Sequence, residues 1–412
     1  MWARAAPAIV LLTLASVARA EDRPLELRFQ TLFFADNTEF FGPFRTGETL
    51  LGAWARAFVT WPLSDHAGLD LGGTGRQQFG SEKAIEEARP VLALHIGSPA
   101  SLLVFGTRDP GRATTALGPD VQTPHGLLPP LQIETLSFER PWEAGLQWKG
   151  STDSRTHDAW LSWQRINTVA HRERLNAGFL FEKRRNRTLG LAQAHVVHEG
   201  GQLSEFGAVS DSFAAAAGVG VDVWRRGESR LSIFAAGVIS AYEPDRSRAG
   251  DGIRGGGAFL RAVYRRERLR AHALYWHARD FVKVEGDPNY GVIRRDGSRF
   301  PAARDYFEAG VAREFRPAPS LRIEVSARVH AYEGEADYSY RVLASVDAAR
   351  ILRPLTSQSP QGPAKSAASD RSRTTRRVRI NGTTTAAEGP RCLPKPEPLP
   401  PPARSVGSEG GH

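Results

Sequence analysis

From Leu321 the chain reads Leu-Arg-Ile-Glu-Val-Ser-Ala-Arg-Val-His, apolar at every odd position and polar at every even one. After a Glu-Gly-Glu turn the alternation resumes. Tyr338, Tyr340, Val342, Ala344 and Val346 fall on one face, and Asp337, Ser339, Arg341 and Ser345 on the other. Side chains of a strand point alternately to its two faces, so the pattern predicts a two-strand ribbon, oily on one side and charged on the other. Each strand is longer than the roughly 5–6 residues usual in soluble proteins. Such a ribbon is the unit of a membrane barrel.

The same period recurs along the chain. Leu25, Leu27, Phe29 and Phe33 alternate with Glu26, Arg28 and Gln30, and Leu51, Ala53, Ala55, Ala57 and Val59 oppose Arg56 and Thr60. Further strands are predicted from Gly68 and at Leu92–Ile96, Leu102–Gly106, Trp142–Trp148, Asp158–Gln164, Arg174–Glu182 and Leu189–Val197. Others follow at Phe213–Val223, Leu231–Ile239, Leu260–Arg265, Leu269–Tyr275 and Phe307–Phe315. Short turns (Ser98-Pro99, Ser151–Arg155, Arg184–Thr188, Arg226–Ser229) contrast with long loops at 109–130 and 280–301. The fold class is therefore all-β: a single antiparallel up-and-down transmembrane β-barrel of about 16 strands, within a range of about 14–18. A secreted sandwich also alternates. The barrel is favoured by polar residues along the second face of most strands, and by Trp61, Trp142 and Tyr264 near strand ends, where an interfacial girdle sits.

Composition divides the chain into three parts. Residues 1–20 read as a cleaved signal peptide, with Arg4, a short apolar run from Ala8 to Val17, and Ala18-Arg19-Ala20 before the cut. Residues 21–350 form the barrel. Residues 351–412, rich in Pro, Ser, Thr and Arg, are expected to be a disordered tail. It is either a periplasmic arm binding peptidoglycan or a partner, or a stretch translated out of frame in place of a final strand. From Arg350 onward eleven Lys/Arg stand against four Asp/Glu, and with Arg4 and Arg19 these account for the whole formal charge of +9. The body is balanced, which removes the case for nucleic-acid binding. The single Cys392 permits no internal disulfide.

The leader, the long alternating strands over about 25–349, the balanced body and the unequal loops resemble Gram-negative outer-membrane barrels, porins in particular. That resemblance implies outer-membrane lipid and the barrel-assembly machinery as partners, and passive diffusion of small hydrophilic solutes as the function. Such barrels usually end on a strand with a terminal aromatic; here Val346-Asp347-Ala348-Ala349-Arg350 precedes the tail. Two alternatives remain beside the porin: a structural or partner-binding barrel without an open pore, if loops 109–130 and 280–301 fold inward, and a soluble secreted sandwich that binds carbohydrate or another partner.

No catalytic motif emerges. The chain lacks Gly-x-Ser-x-Gly, His-Glu-x-x-His and His-x-Ser sequences, and His330 shares a face with Arg328 and Glu324 without an inward Ser singled out as a nucleophile. His195 and His198 fall on opposite faces of a strand, so no metal site is expected. The expectation is a protein that is no enzyme and has no cofactor. Its polar inner face is assigned as pore-lining: Arg28, Arg56, Lys149, Asp158, Arg174, Glu182, Arg261, Arg265, Arg270, His272, Glu308, Arg322, Glu324, Arg328, His330 and Arg341.

Overall fold

The computed structural model describes residues 23–110, 123–203 and 206–352. The leader at 1–20 and the tail lie outside them, save that Ile351 and Leu352 belong to the last strand. Sixteen antiparallel strands close into one barrel in simple sequential order. They are β1 (Leu25–Glu39), β2 (Glu48–Ser64), β3 (Ala67–Gln78), β4 (Glu87–Ser98), β5 (Ser101–Arg108), β6 (Glu143–Ser151), β7 (Arg155–Arg165) and β8 (Glu173–Arg185). Then come β9 (Thr188–Gly200), β10 (Ser210–Arg226), β11 (Ser229–Glu243), β12 (Ile253–Arg266), β13 (Leu269–Arg279), β14 (Arg304–Ala318), β15 (Leu321–Tyr332) and β16 (Glu335–Leu352). One short helix, α1 (Leu136–Glu139), lies between β5 and β6.

The ring closes without a terminal aromatic. β1 pairs with β16 from Leu25↔Leu352 to Glu39↔Tyr338, so the final strand completes the wall on its own alternation. Outward positions stay exposed although apolar: Phe33, Leu92, Phe105, Trp148, Val219, Ile239, Val329 and Tyr338 among them. Their inward neighbours Leu32, Val91, Val104 and Val238 are buried. No second sheet covers the oily face among the described residues, so the sandwich fails and the wall is built to meet lipid.

Turns and loops segregate to opposite ends. β2–β3, β4–β5, β6–β7, β8–β9, β10–β11, β12–β13 and β14–β15 join at one end through two or three residues each. At the other end the β15–β16 hairpin is tight, with Glu333 and Gly334 both at positive φ as a two-residue hairpin requires. The other connections there are longer, and two of them turn back into the barrel.

Thr123–Pro141 and Phe281–Val292 occupy the lumen. Leu127, Leu128 and Leu131 are fully buried against inward Trp160, Leu180, Leu189, Leu191, Ala214, Phe234, Phe259 and Trp276. The two segments bond to each other through Ile133 N–H to Glu285 O (2.7 Å) and Asp287 N–H to Pro129 O (3.0 Å). A barrel of 16 strands normally encloses water; here chain fills that space. Trp142 also departs from expectation. It is 5% exposed, packed edge-on to inward Trp54 at 5.3 Å, and is no part of an outer girdle.

Candidate functional site

The inward faces of β14, β15, β16 and β1 converge near the long-loop end on a charged cluster. Glu134, from the plug, accepts hydrogen bonds from Arg328 and Arg341, each at 2.8 Å, and Arg341 also bonds Asp36 at 2.9 Å. Burial alone would raise the Glu134 carboxyl; the two guanidinium groups outweigh it and hold it at about 2.

Beside this cluster four side chains form a hydrogen-bonded line. The Glu333-Gly334 hairpin fixes the register, setting His330 opposite Asp337 and Arg328 opposite Ser339. Ser339 is therefore the diagonal neighbour of His330, and its Oγ lies 2.9 Å from His330 Nε2. His330 Nδ1 lies 2.7 Å from the Tyr306 hydroxyl, which donates to Glu308 Oε2 at 2.9 Å. A tyrosine has one hydroxyl proton, so if it goes to Glu308 the oxygen must accept from Nδ1–H. That leaves the Nε2 lone pair facing Ser339. Glu308 also meets Nδ1 at 3.5 Å and is held by His272 at 2.8 Å. All four groups are buried. A serine hydroxyl, an imidazole, a phenol and a carboxylate in one hydrogen-bonded line include the group types that acyl transfer uses.

The β1–β2 loop covers this line. Phe40 packs edge-on to His330 at 4.8 Å, and Phe41 N–H donates to Asp337 at 3.1 Å. Arg45 binds Asp287 of the plug at 2.9 Å. Gly42 lies so close to the Tyr332 ring that any side-chain carbon there would overlap it.

The sixteen residues assigned from sequence lie on inward strand positions but serve different neighbourhoods. Glu308, Arg328, His330, Arg341 and His272 belong to the cluster just described. Arg270 and Glu324 pair at 3.1 Å, and Arg322 reaches Glu314. Asp158 holds plug residue His125, whose Nδ1 and Nε2 meet Asp158 at 2.9 Å and Glu143 at 3.1 Å. Burial opposes the His125 charge; the two carboxylates raise its pKa nonetheless. Arg174 anchors plug residue Glu285 at 2.9 Å. Arg28 lies far from these groups, near the short turns, beside Glu26. Arg56 stacks on Phe58, while Glu182, Arg261 and Arg265 lie lower on the wall and Lys149 is half-buried on β6. His195 points inward to Leu131 O, and His198 meets Asp211 outside.

Sequence reasoning missed Ser339 as a partner of His330, because it sought both on one strand. Leu127 and Leu128 in the long 109–130 loop, with Leu131 just after it, were a signal for the plug.

Comparisons with known proteins bear on the chemistry. A family described as "Lipid A 3'-O-deacylase-type" matches residues 17–353. No curated protein matches the chain. Solved structures resembling it include a loop-deleted OmpT, an outer membrane protein of Vibrio cholerae (10% identity, TM-score 0.49, covering 79% of this chain and 99% of that one). Others are an anion-selective porin from Comamonas acidovorans (7%, 0.48, 79% and 100%) and OccK8 of Pseudomonas aeruginosa (12%, 0.46, 79% and 98%). Likenesses this distant carry no functional inference. The family match, however, corrects the expectation that the protein is no enzyme, because that family is named for a deacylase.

Proposed function

This chain belongs to the lipid A 3'-O-deacylase-type family, and on that premise we propose that it is an outer-membrane ester hydrolase that removes a 3'-O-linked acyl chain from lipid A. It is an outer-membrane β-barrel. The observation that carries the catalytic reading is the line Ser339–His330–Tyr306–Glu308.

In this reading Ser339 Oγ attacks the ester carbonyl as His330 Nε2 takes its proton. The bond to the sugar oxygen breaks, that oxygen leaves with the proton from His330, and the acyl group stays on Ser339. Water, deprotonated by the same imidazole, then releases the fatty acid. Tyr306 and Glu308 hold the ring in the working tautomer and stabilise its charged form. Arg328, directly across from Ser339, supplies positive charge where the oxyanion develops. Ser339 lies four residues from the long-loop end of β16, roughly 13 Å along the strand. That end faces outward in barrels of this kind. A substrate ester reaches Oγ when the β1–β2 loop lifts.

Passive diffusion is the weaker reading, because two inward-folded loops stand in the path a solute would take. The inward charges then dock the plug and position the site, and set no ion preference. Cleavage after Ala20 and insertion by the barrel-assembly machinery belong to the same proposal.

The test is fatty-acid release from lipid A by the purified protein, read by mass spectrometry. Ser339→Ala and His330→Ala are expected to lower turnover by roughly 10²–10⁴-fold or more while leaving heat-modifiable migration unchanged. Wild-type turnover in Ser339→Ala would remove the nucleophile. A wild-type protein that cleaves no acyl ester would remove the hydrolase.

A further inference from the structure

Four neighbouring hairpins at the short-turn end differ from the rest of that rim. On their outward face an aromatic ring and a cation stand two residues apart on one strand: Phe181 with Lys183, Trp224 with Arg226, Tyr264 with Arg266, and Phe315 with Arg313. The register links three of them. Arg226 pairs with Ser229, Ser229 with Arg266, Arg266 with Leu269, and Leu269 with Arg313, so three arginines share one rung across β10–β14. With strands about 4.8 Å apart, successive guanidinium stems stand about 10 Å apart along the wall. Trp224 and Tyr264 stack at 6.3 Å one rung nearer the oily belt; on β14 the order is reversed, Phe315 lying nearer the turn with Arg313 over its ring at 5.4 Å.

None of Lys183, Arg226, Arg266 and Arg313 forms an ion pair among the described residues, and all four are exposed. The neighbouring acids Glu228 and Glu267 sit at the turn tips. Elsewhere on the rim Asp65 is bound by Arg23 at 2.8 Å and Asp153 stands near Arg155, while Arg350 on β16 is an exposed cation outside the arc. Unpaired cations just beyond an aromatic belt meet the phosphate level of a bilayer, where each basic residue attracts anionic lipid. The short turns place this arc at the periplasmic leaflet, opposite the candidate catalytic line.

We propose that this arc is a binding site for anionic glycerophospholipids of the periplasmic leaflet, the rings of Phe181, Trp224 and Tyr264 seating at the glycerol level and the cations on the phosphates. It fixes one side of the barrel to charged lipid and leaves the other side indifferent.

The test reconstitutes the full chain in vesicles of phosphatidylcholine containing spin-labelled phosphatidylglycerol, spin-labelled phosphatidylcholine or labelled lipid A. The expected result is a several-fold greater motionally restricted fraction for phosphatidylglycerol than for phosphatidylcholine, reduced by salt. It should fall to the phosphatidylcholine level in a Lys183→Gln/Arg226→Gln/Arg266→Gln/Arg313→Gln variant whose heat-modifiable migration is intact. Should that variant not fold, Arg266→Gln and Arg313→Gln alone are each expected to lower the preference partway. Equal restriction of the two glycerophospholipids, a preference untouched by the substitutions, or stronger restriction of lipid A would each overturn the site.

Discussion

Two sectors of the inner wall grip the same plug by different means. On β9–β13 the wall presents Leu189, Ala214, Phe234, Phe259 and Trp276 to Leu127, Leu128 and Leu131. On β15, β16 and β1 it presents Arg328, Arg341 and Asp36, and the plug answers with the single carboxylate of Glu134. The apolar contact spreads over many atoms, each contributing little, and it tolerates small shifts. The ionic contact depends on one side chain, and losing it leaves Arg341 to Asp36 and Arg328 to a longer contact with Glu308. The candidate catalytic line stands beside the ionic sector, where position is fixed most sharply.

Breaking the ionic side should cost most. Glu134→Ala leaves Arg328 and Arg341 without their shared partner, a loss of about 3–5 kcal/mol. We expect a lower unfolding midpoint in detergent, measurable conductance in planar bilayers and reduced hydrolysis. Leu128→Ala on the apolar side should cost about 2–5 kcal/mol through its cavity, with hydrolysis less affected because the catalytic line keeps its neighbours. If Leu128→Ala impairs hydrolysis more than Glu134→Ala does, the contrast between the sectors fails.

Acid should separate the sectors without mutation. Glu134 and Glu285 are both held at about 2 in the folded protein, below the ordinary 4.5. Lowered carboxyl values stabilise the docked state fully above pH 4.5, and that contribution is lost as pH falls toward 2. Conductance or protease access to the plug should therefore rise across that window in wild type, and the rise should shrink in Glu134→Gln. The smallest expected effect is Asp36→Asn, about 1 kcal/mol, since Arg341 keeps Glu134 and an amide oxygen still accepts.

Much of the barrel was legible because a period of two leaves little freedom: once Val325 faces outward, Glu324 and Ser326 must face inward. Sixteen such runs gave the strand number. The plug was legible only as an alternative, for the opposite reason. Pro, Gly and Thr in 109–130 match a solvent loop, and the burial of Leu127 and Leu131 depends on partners on β9–β13 that no local pattern names. Trp142 failed similarly, since its place one residue before β6 left its direction to the packing of Trp54. The Ser339–His330 pair lay between these cases. A two-residue turn at Glu333-Gly334 sets the pairing, and counting outward from it brings the two together.

The seam between β1 and β16 joins the earliest strand of the mature barrel to the latest over fifteen consecutive residue pairs. No earlier strand can stand in for either edge, so the wall stays open until synthesis has passed Leu352. Contacts between such distant parts of a chain form slowly. Until they form, two bare rows of peptide groups face the surroundings, and such open edges invite pairing with other chains.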